Sequence, residues 1–480
     1  MVRVIEEDIK VKKKCENSTD LSVSAIADSY NKISLDFLRK YAETQKGKNV
    51  VFSPFSVMAL LLMLADTADG KSREEITSIC QGVDFNEMKT IFHSLASVLE
   101  DEGAFCNANV VCVKKEYKDL IKEQYKKSLS EVFNGELVAS DNMVQAVNDW
   151  VCKRTKGMIE QITIEDNADM TASLMNAVAF EAAWEVPYHN DSIEEDTFKN
   201  ADGEKQKVQM LFNEESNYIE DEHFTGFVKH YKTEEYSFMG LLPKKKSQKY
   251  LYESLNHINF REIFSAKVDE EVKVWMPEFK YTYEADLIGF CQAQGIHTIF
   301  SDEADFSPMT DASLFIDAIQ HKAVIKVDRR GTKAAAVTYG CYLTGKPYDG
   351  PKKVKLNRPF IYAIMHNDTG LPVFVGVVNH IDMNGVEEDP IKNNPEFDGI
   401  YDGFHLDNAL SGDPLCYVWL GKAFFDGEGC EKSIKKCFKW LQKAYDLDSD
   451  IASDAIESEF GILAGLILML LKRNSASIGQ

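Results

Sequence analysis

Much that an enzyme, a transporter or a disulfide-built secreted domain needs is missing from these 480 residues. No GxSxG, HExxH or paired-carboxylate motif occurs, so a catalytic reading has no nucleophile–base pair to work with. Ten cysteines lie scattered from Cys15 to Cys437 with neither a CxxC pair nor Cys/His metal spacing, which leaves no candidate metal site. Gly340 to Lys346 imitates a phosphate-binding GxxxxGK, but Pro347 stands where a magnesium-binding Ser or Thr belongs and no helix pattern follows. No cofactor is expected. The longest apolar run, Phe460 to Leu471, falls short of the ~20 residues that span a bilayer, and no membrane partner is expected. Positive charge is scarce: 54 Lys and Arg against 77 Asp and Glu give −23 and a pI near 4.9, which argues against nucleic acids and anionic membranes. Residues 1–20 form a polar tail without an apolar core of the signal-peptide kind. That points to a cytoplasmic or nucleocytoplasmic protein with reduced thiols, although secretion by a signal of another kind stays open.

What is present is ordinary globular composition, 44% hydrophobic and 27% charged, in a chain long enough for one large domain and something smaller. The chain is organised around Gly331-Thr332-Lys333-Ala334-Ala335-Ala336-Val337-Thr338. Leu314 to Val327 reads as a strand, and Arg329-Arg330-Gly331 as the turn that ends it. From Gly331 to Thr338 eight residues, all small apart from Lys333, then stand where a polar loop would be. Thr332, Ala334, Ala336 and Thr338 fall on one face at period two. Alanine has poor strand propensity, so three in a row gain a static strand little. Small side chains do help a segment that must slide between paired strands.

Upstream, Leu21 to Tyr41 has helical spacing and Asn49 to Phe52 reads as a short buried strand. Ser53 and Pro54 then cap and open an apolar helix, Val57 to Ala65. Lys71 to Ile79 and Asn86 to Leu99 are further helices, and Ala104 to Val113 an alternating strand that includes Asn107 and Asn109. A helix runs from Val144 towards Ile162, ending near Gly157. Leu174 to Phe180 is the near-continuous apolar run of a strand covered on both faces. Strands recur at 208–212, 227–231, 236–242 and 273–276, with another after Phe279, and Arg358 to Met365 and Leu371 to Val378 form a hairpin. Helices early and strands late indicate an α+β domain over residues 21–380.

Seven stretches in order resemble the serpin family: NVVFSPFS (49–56), VNDWVCKRTKGMI (147–159), NAVAFEAAWEVP (176–187), HKAVIKV (321–327), GTKAAAVT (331–338), NRPF (357–360) and TGLPVFVGVVN (369–379). The resemblance implies a fold of three β-sheets and eight to nine helices with an exposed reactive loop. It implies a suicide inhibitor rather than an enzyme. A target protease cleaves the loop, and the hinge half (Gly331, Thr332, Ala334, Ala335, Ala336) inserts into the main sheet and traps the acyl-enzyme. Ser53, Ser56, Asn176 and His321 match the buried polar cluster where that sheet opens, with Trp184 at the insertion site. Sixteen residues on from Arg329 place the scissile bond at Gly345–Lys346, roughly 50 Å of extended chain. Counting back nine from Asn357 gives Tyr348, and cleavage after Thr344 would set Leu343 where papain-like proteases take an apolar residue. The expected partner is thus a serine or cysteine protease. The family has an acid at position 329 and a base at 278; Arg329 and Glu278 reverse both signs and suggest a swapped hinge ion pair. Arg329 and the bulky Tyr342 leave room for the alternative of a non-inhibitory serpin that acts as a binding or scaffold protein.

Beyond His380, residues 381–413 have the acidic, Asn/Gly/Pro-rich composition of a linker. Residues 414–480 resemble a Sel1-like helical repeat: two helices, Leu415 to Phe425 and Ser433 to Leu447, then a third over Ile451 to Leu471. One repeat and a fraction must pack on something, so a protein partner for this extension is expected, on an otherwise monomeric chain.

Overall fold

The structure, a computed structural model, describes residues 19–329, 351–381 and 414–478, apart from positions 46, 81–82, 100–103, 156, 158, 160, 162–170, 189–191, 313–315 and 428–431. Helix α1 (Thr19–Thr44) opens it, longer at both ends than its apolar spacing suggested, and β1 (Val50–Phe52) follows. Ser53 caps α2 (Pro54–Thr67) by accepting the Ser56 N–H at 3.3 Å, with proline at the first helical position, where the missing N–H is not needed. All fourteen residues of α2 are buried; it is the centre of the core.

Next come α3 (Gly70–Thr77), α4 (Phe85–Leu99), β2 (Phe105–Val113), α5 (Glu123–Phe133), β3 (Gly135–Ala139), α6 (Met143–Arg154) and β4 (Ala172–Phe180). Helix α6 stops at Thr155, earlier than the sequence pattern suggested, and Gly157 then takes φ +80°. The second half of the body brings β5 (Ile193–Lys199), β6 (Lys205–Glu220), β7 (Phe224–His230), β8 (Tyr236–Pro243), α7 (Gln248–Ser254), α8 (Phe260–Ser265), β9 (Val268–Pro277), β10 (Phe279–Asp286), α9 (Ile288–Ala293) and β11 (Ile316–Val327). Strands β12 (Lys352–Lys355), β13 (Phe360–His366) and β14 (Pro372–Val378) close it.

Five strands form one sheet in the order β10-β11-β4-β2-β3. The other nine lie in a second hydrogen-bonded sheet, β1-β14-β13-β8-β7-β6-β9-β12, with β5 on β6. Two of the three expected sheets are therefore continuous, because the 16-residue β6 pairs with β5 through its first half, with β9 through its middle and second half, and with β7 at its far end. Strand β4 is buried throughout. Helix α6 covers one face of the five-stranded sheet, with Val147, Trp150 and Val151 over Val110, Met175 and Ala177. Helix α2 lies on the other.

The two sheets are tied by a tyrosine pair. Tyr281 of β10 donates to the Val50 carbonyl at 3.1 Å and so accepts from Tyr362 of β13 at 2.8 Å. The Tyr362 ring lies over Gly376, its register partner on β14, where an added Cβ would come within 2.6 Å of the ring.

Residues 414–478 build a second core of their own. Helices α10 (Pro414–Asp426) and α11 (Ile434–Leu447) pack closely at Gly421, whose missing side chain makes room for Leu441. Tyr417 stacks on Trp440 at 5.4 Å, and Trp440 is fully buried. The single helix expected over 451–471 is instead two, α12 (Ser449–Phe460) and α13 (Ala464–Ile478), broken at Gly461 with φ +50°. Among the described residues no helix is long and apolar enough to cross a membrane.

Gly376→Ala should force the Tyr362 ring aside and break its hydrogen bond to Tyr281. Denaturant unfolding is expected to show a loss of about 1–3 kcal/mol, the usual range for overpacking a core. Unchanged stability would mean that this contact does not hold the sheets together.

Candidate functional site

Strands β4 and β11 run parallel, in register from Ile316 beside Ala172 to Val324 beside Ala179. The chain leaves β11 at Val327, the end at which β4 also finishes. A segment that turned back there and entered the sheet would run antiparallel to both neighbours. Antiparallel pairing is slightly more stable per residue than parallel pairing, so one parallel ladder would be exchanged for two better ones. The seam between β4 and β11 is thus a place where a strand can be gained.

Four of the candidate residues meet beneath this seam. Asn107 and Asn109 alternate onto the same face of β2, towards the start of α2, and Asn109 lies in register with Asn176 of β4, which is in register with His321 of β11. The Ser53 N–H can only donate, so His321 Nε2 accepts from it at 3.3 Å and the imidazole proton sits on Nδ1. That proton faces Asn176 Oδ1 at 3.2 Å. The Asn176 amide then donates to Asn107 Oδ1 at 2.6 Å and Asn109 Oδ1 at 2.8 Å, while Ser56 Oγ donates to Asn107 Oδ1 at 3.0 Å. Asn109 passes the chain on to the Phe133 carbonyl at 2.8 Å. In this network one bond, His321 to Asn176, crosses the seam. Parting the strands leaves His321 on Ser53 and Asn176 on its two asparagines.

Burial pushes the His321 pKa down to about 3 from its ordinary 6.5, and a proton on Nε2 would also confront the Ser53 N–H. Asn107 and Asn109 belong to this site although sequence reasoning left them as polar residues in a strand. Their alternation onto the inner face of an apolar strand was the available signal.

Trp184 lies outside this network, at the end of the sheet where β11 terminates. Its Nε1 donates to the Asp328 carbonyl at 2.9 Å, and its ring stacks on Tyr231 at 4.4 Å. The Tyr188 N–H holds the Arg329 carbonyl at 2.9 Å. Lys229 is buried under both aromatic rings, 5.5 Å from the Trp184 centroid and 4.6 Å from that of Tyr188, and pairs with Glu215 at 2.7 Å. This buried pair was missed, yet Lys229 lies between Phe227 and Tyr231 at period two, the face that turns inward.

Arg329 and Glu278 meet at the same end. Arg329 Nε lies 3.0 Å from Glu278 Oε1 and Nη2 3.2 Å from Oε2, and the Arg329 N–H adds a third bond at 3.1 Å. The arginine side chain is 21% exposed and the glutamate 4%, so the pair is far more sheltered than a surface ion pair. It fastens the exit of β11 to the junction of β9 and β10. The hinge residues Gly331, Thr332, Ala334, Ala335 and Ala336, and the candidate bond residues Thr344, Gly345, Lys346 and Tyr348, lie outside the described residues.

Two predictions follow from these geometries. The unfolded chain binds a proton at His321 near pH 6.5 and the folded chain only near 3, so its stabilising contribution is complete above 6.5 and is lost as pH falls below it. The slope for one such group is about 1.4 kcal/mol per pH unit. Burial lowers His230 and His366 as well, with the same sign. Unfolding free energies measured from pH 8 to 5 should fall with acid, and His321→Gln should lose up to one proton's worth of that slope; an unaltered slope would remove His321 from the account. Arg329→Ala should cost about 3 kcal/mol by stranding a buried carboxylate. Exchanging the charges, Arg329→Glu with Glu278→Arg, should recover most of that loss; a double variant no better than the worse single one would contradict pairing.

Comparison with known proteins places this geometry. Residues 28–381 match the model of the family described as Serpin (serine protease inhibitor). Serpin B10 of Papio anubis is 28% identical over 400 residues, an alignment that takes in 74% of this chain and 99% of that protein. The thermophilic serpin tengpin in its native state superimposes with a TM-score of 0.68 at 29% identity, over 77% of this chain and 96% of its own. Thyroxine-binding globulin in complex with thyroxine shares the fold at 21% identity, with a TM-score of 0.66 over 74% of this chain and 99% of that one. The matched region holds both sheets, the parallel seam and the polar cluster beneath it: the chain belongs to the serpin family.

Proposed function

We propose that this serpin inhibits proteases as a single-use trap. A target of the serine or papain-like cysteine class cleaves within 344–348, with Gly345–Lys346 the favoured bond, and the acyl-enzyme is carried off as residues from Gly331 onward enter the β4–β11 seam. The observation that carries this reading is the seam itself. It is parallel, it lies beside the point where β11 hands over to Arg329, and one bond of its buried polar network spans it. The small residues Ala334, Ala335 and Ala336 suit entry into a closed sheet, because a strand threading between two others must pass their side chains.

A second reading has its own support. The Arg329–Glu278 pair braces the place where the loop must bend, and Tyr342 falls on the inserting face. A serpin so braced could serve as a binding or scaffold protein through residues 414–478, read as a Sel1-like hairpin. That a structure of this fold is described in complex with thyroxine supports a carrier role as a use for it.

Incubation with trypsin-like, chymotrypsin-like and papain-like enzymes separates the two. Inhibition predicts a complex that survives denaturing electrophoresis with at least one of them. Ala336→Arg should then turn the inhibitor into a substrate, with cleavage at an unchanged position and the complex band lost. Clean cleavage of the unaltered chain by every enzyme that cuts it, with no complex, would favour the second reading.

A further inference from the structure

The helices after the serpin region carry an uncovered surface of a kind the body lacks. Of ten exposed large apolar residues among the described ones, six fall between Ile434 and Met469. Helix α13 shows why. Its inner side, Ala464, Ile467, Leu468 and Leu471, joins the local core, but Leu466 and Met469 on the other side are 55% and 59% exposed, and Leu463 just before the helix is 43% exposed. A helix apolar on both sides belongs in an interior, and among the described residues nothing lies over one side.

The neighbouring helices differ in charge, with lysines predominant on the exposed face of α11, which also carries Asp446, and acids alone on that of α12. Lys435, Lys439 and Lys443 of α11, with Lys432 just before it, are exposed, whereas α12 exposes Asp450, Asp454, Glu457 and Glu459. Over residues 414–478 eight basic residues nearly balance nine acidic ones, so almost all of the chain's net charge of −23 lies elsewhere. The rest of the chain carries a large net negative charge, whereas this unit is close to neutral and offers both signs for complementary pairing. Helical hairpins of the stacking kind also leave an open face until another hairpin covers it.

We propose that residues 414–478 are a self-association surface, and that a second copy of this chain covers it. In a two-fold pair the lysine face of α11 in each copy meets the acidic face of α12 in the other, and the exposed sides of α13 are buried between them. This names a partner for the extension and replaces the monomer expected from sequence. It does not depend on whether the serpin body inhibits anything.

Light scattering and sedimentation on the full chain test it, from sub-micromolar to on the order of 100 µM, the range in which a modest interface assembles. The mass should rise from 54.3 kDa to twice that value, with a dissociation constant that weakens as salt is raised. Leu466→Glu with Met469→Glu should hold the chain at 54.3 kDa with unchanged circular dichroism and thermal unfolding. Lys435→Glu with Lys439→Glu should weaken self-association at least tenfold, as should Asp454→Lys with Glu457→Lys. Mixing these two charge variants should restore a dimer, since each then offers the sign the other needs. A monomer at every concentration overturns the proposal, as does a dimer that survives the α13 substitutions. Charge variants that pair no better mixed than alone would overturn the α11–α12 docking.

Discussion

Two strands, β4 and β11, lie side by side and parallel, and the chain leaves the second of them at their common end. That constraint organises this molecule. A chain that turns back at the end of β11 and enters between β4 and β11 would run antiparallel to both. On the proposed insertion, two antiparallel ladders would replace one parallel ladder, each slightly more stable per residue. On that reading, the contacts that keep the seam closed matter as much as the depth of the folded state's energy.

Two devices keep it closed, and they differ in kind. Beneath the middle of the seam the polar network resists by cooperativity, since each amide fixes the orientation of the next and His321 must stay neutral in one tautomer for the chain to close. A fully satisfied network of this sort makes separation orderly, because each side retains partners after the crossing bond is broken. At the end of the sheet the resistance is electrostatic and aromatic. Arg329 is clamped by Glu278, and Trp184 and Tyr188 hold the backbone of Asp328 and Arg329 while resting on the buried Lys229. The pairing at 329 and 278 has the opposite polarity from the family pattern but preserves the attraction.

The sequence made much of this legible because the decisive features are local. An apolar run marked β4, and a cap and a proline marked α2; the hinge expected from the period-two small residues lies outside the described residues. Helix α5 was missed although Tyr125, Leu129 and Phe133 recur at the i, i+4 spacing of a buried face. Strand β12 carried no such signal: Lys352-Lys353-Val354-Lys355 becomes a strand only because β9 offers a parallel edge to it. The long α12–α13 run was read as one helix because apolar periodicity continues across Gly461, and a positive φ leaves no trace in hydrophobic pattern. Among site residues, Ser53, Ser56, Asn176 and His321 were grouped through motifs, whereas Asn107, Asn109 and the Lys229–Glu215 pair depend on contacts across strands distant in sequence.

The central claim is that the closed seam is a metastable arrangement which takes up residues from Gly331 onward as a strand. Thermal unfolding before and after a single cut within residues 344–348 tests it most directly. Insertion predicts a cleaved form that unfolds at a temperature many degrees higher than the intact chain, through the added antiparallel ladders. A cleaved form that unfolds at the same temperature or lower would show that the seam stays shut and would contradict the account.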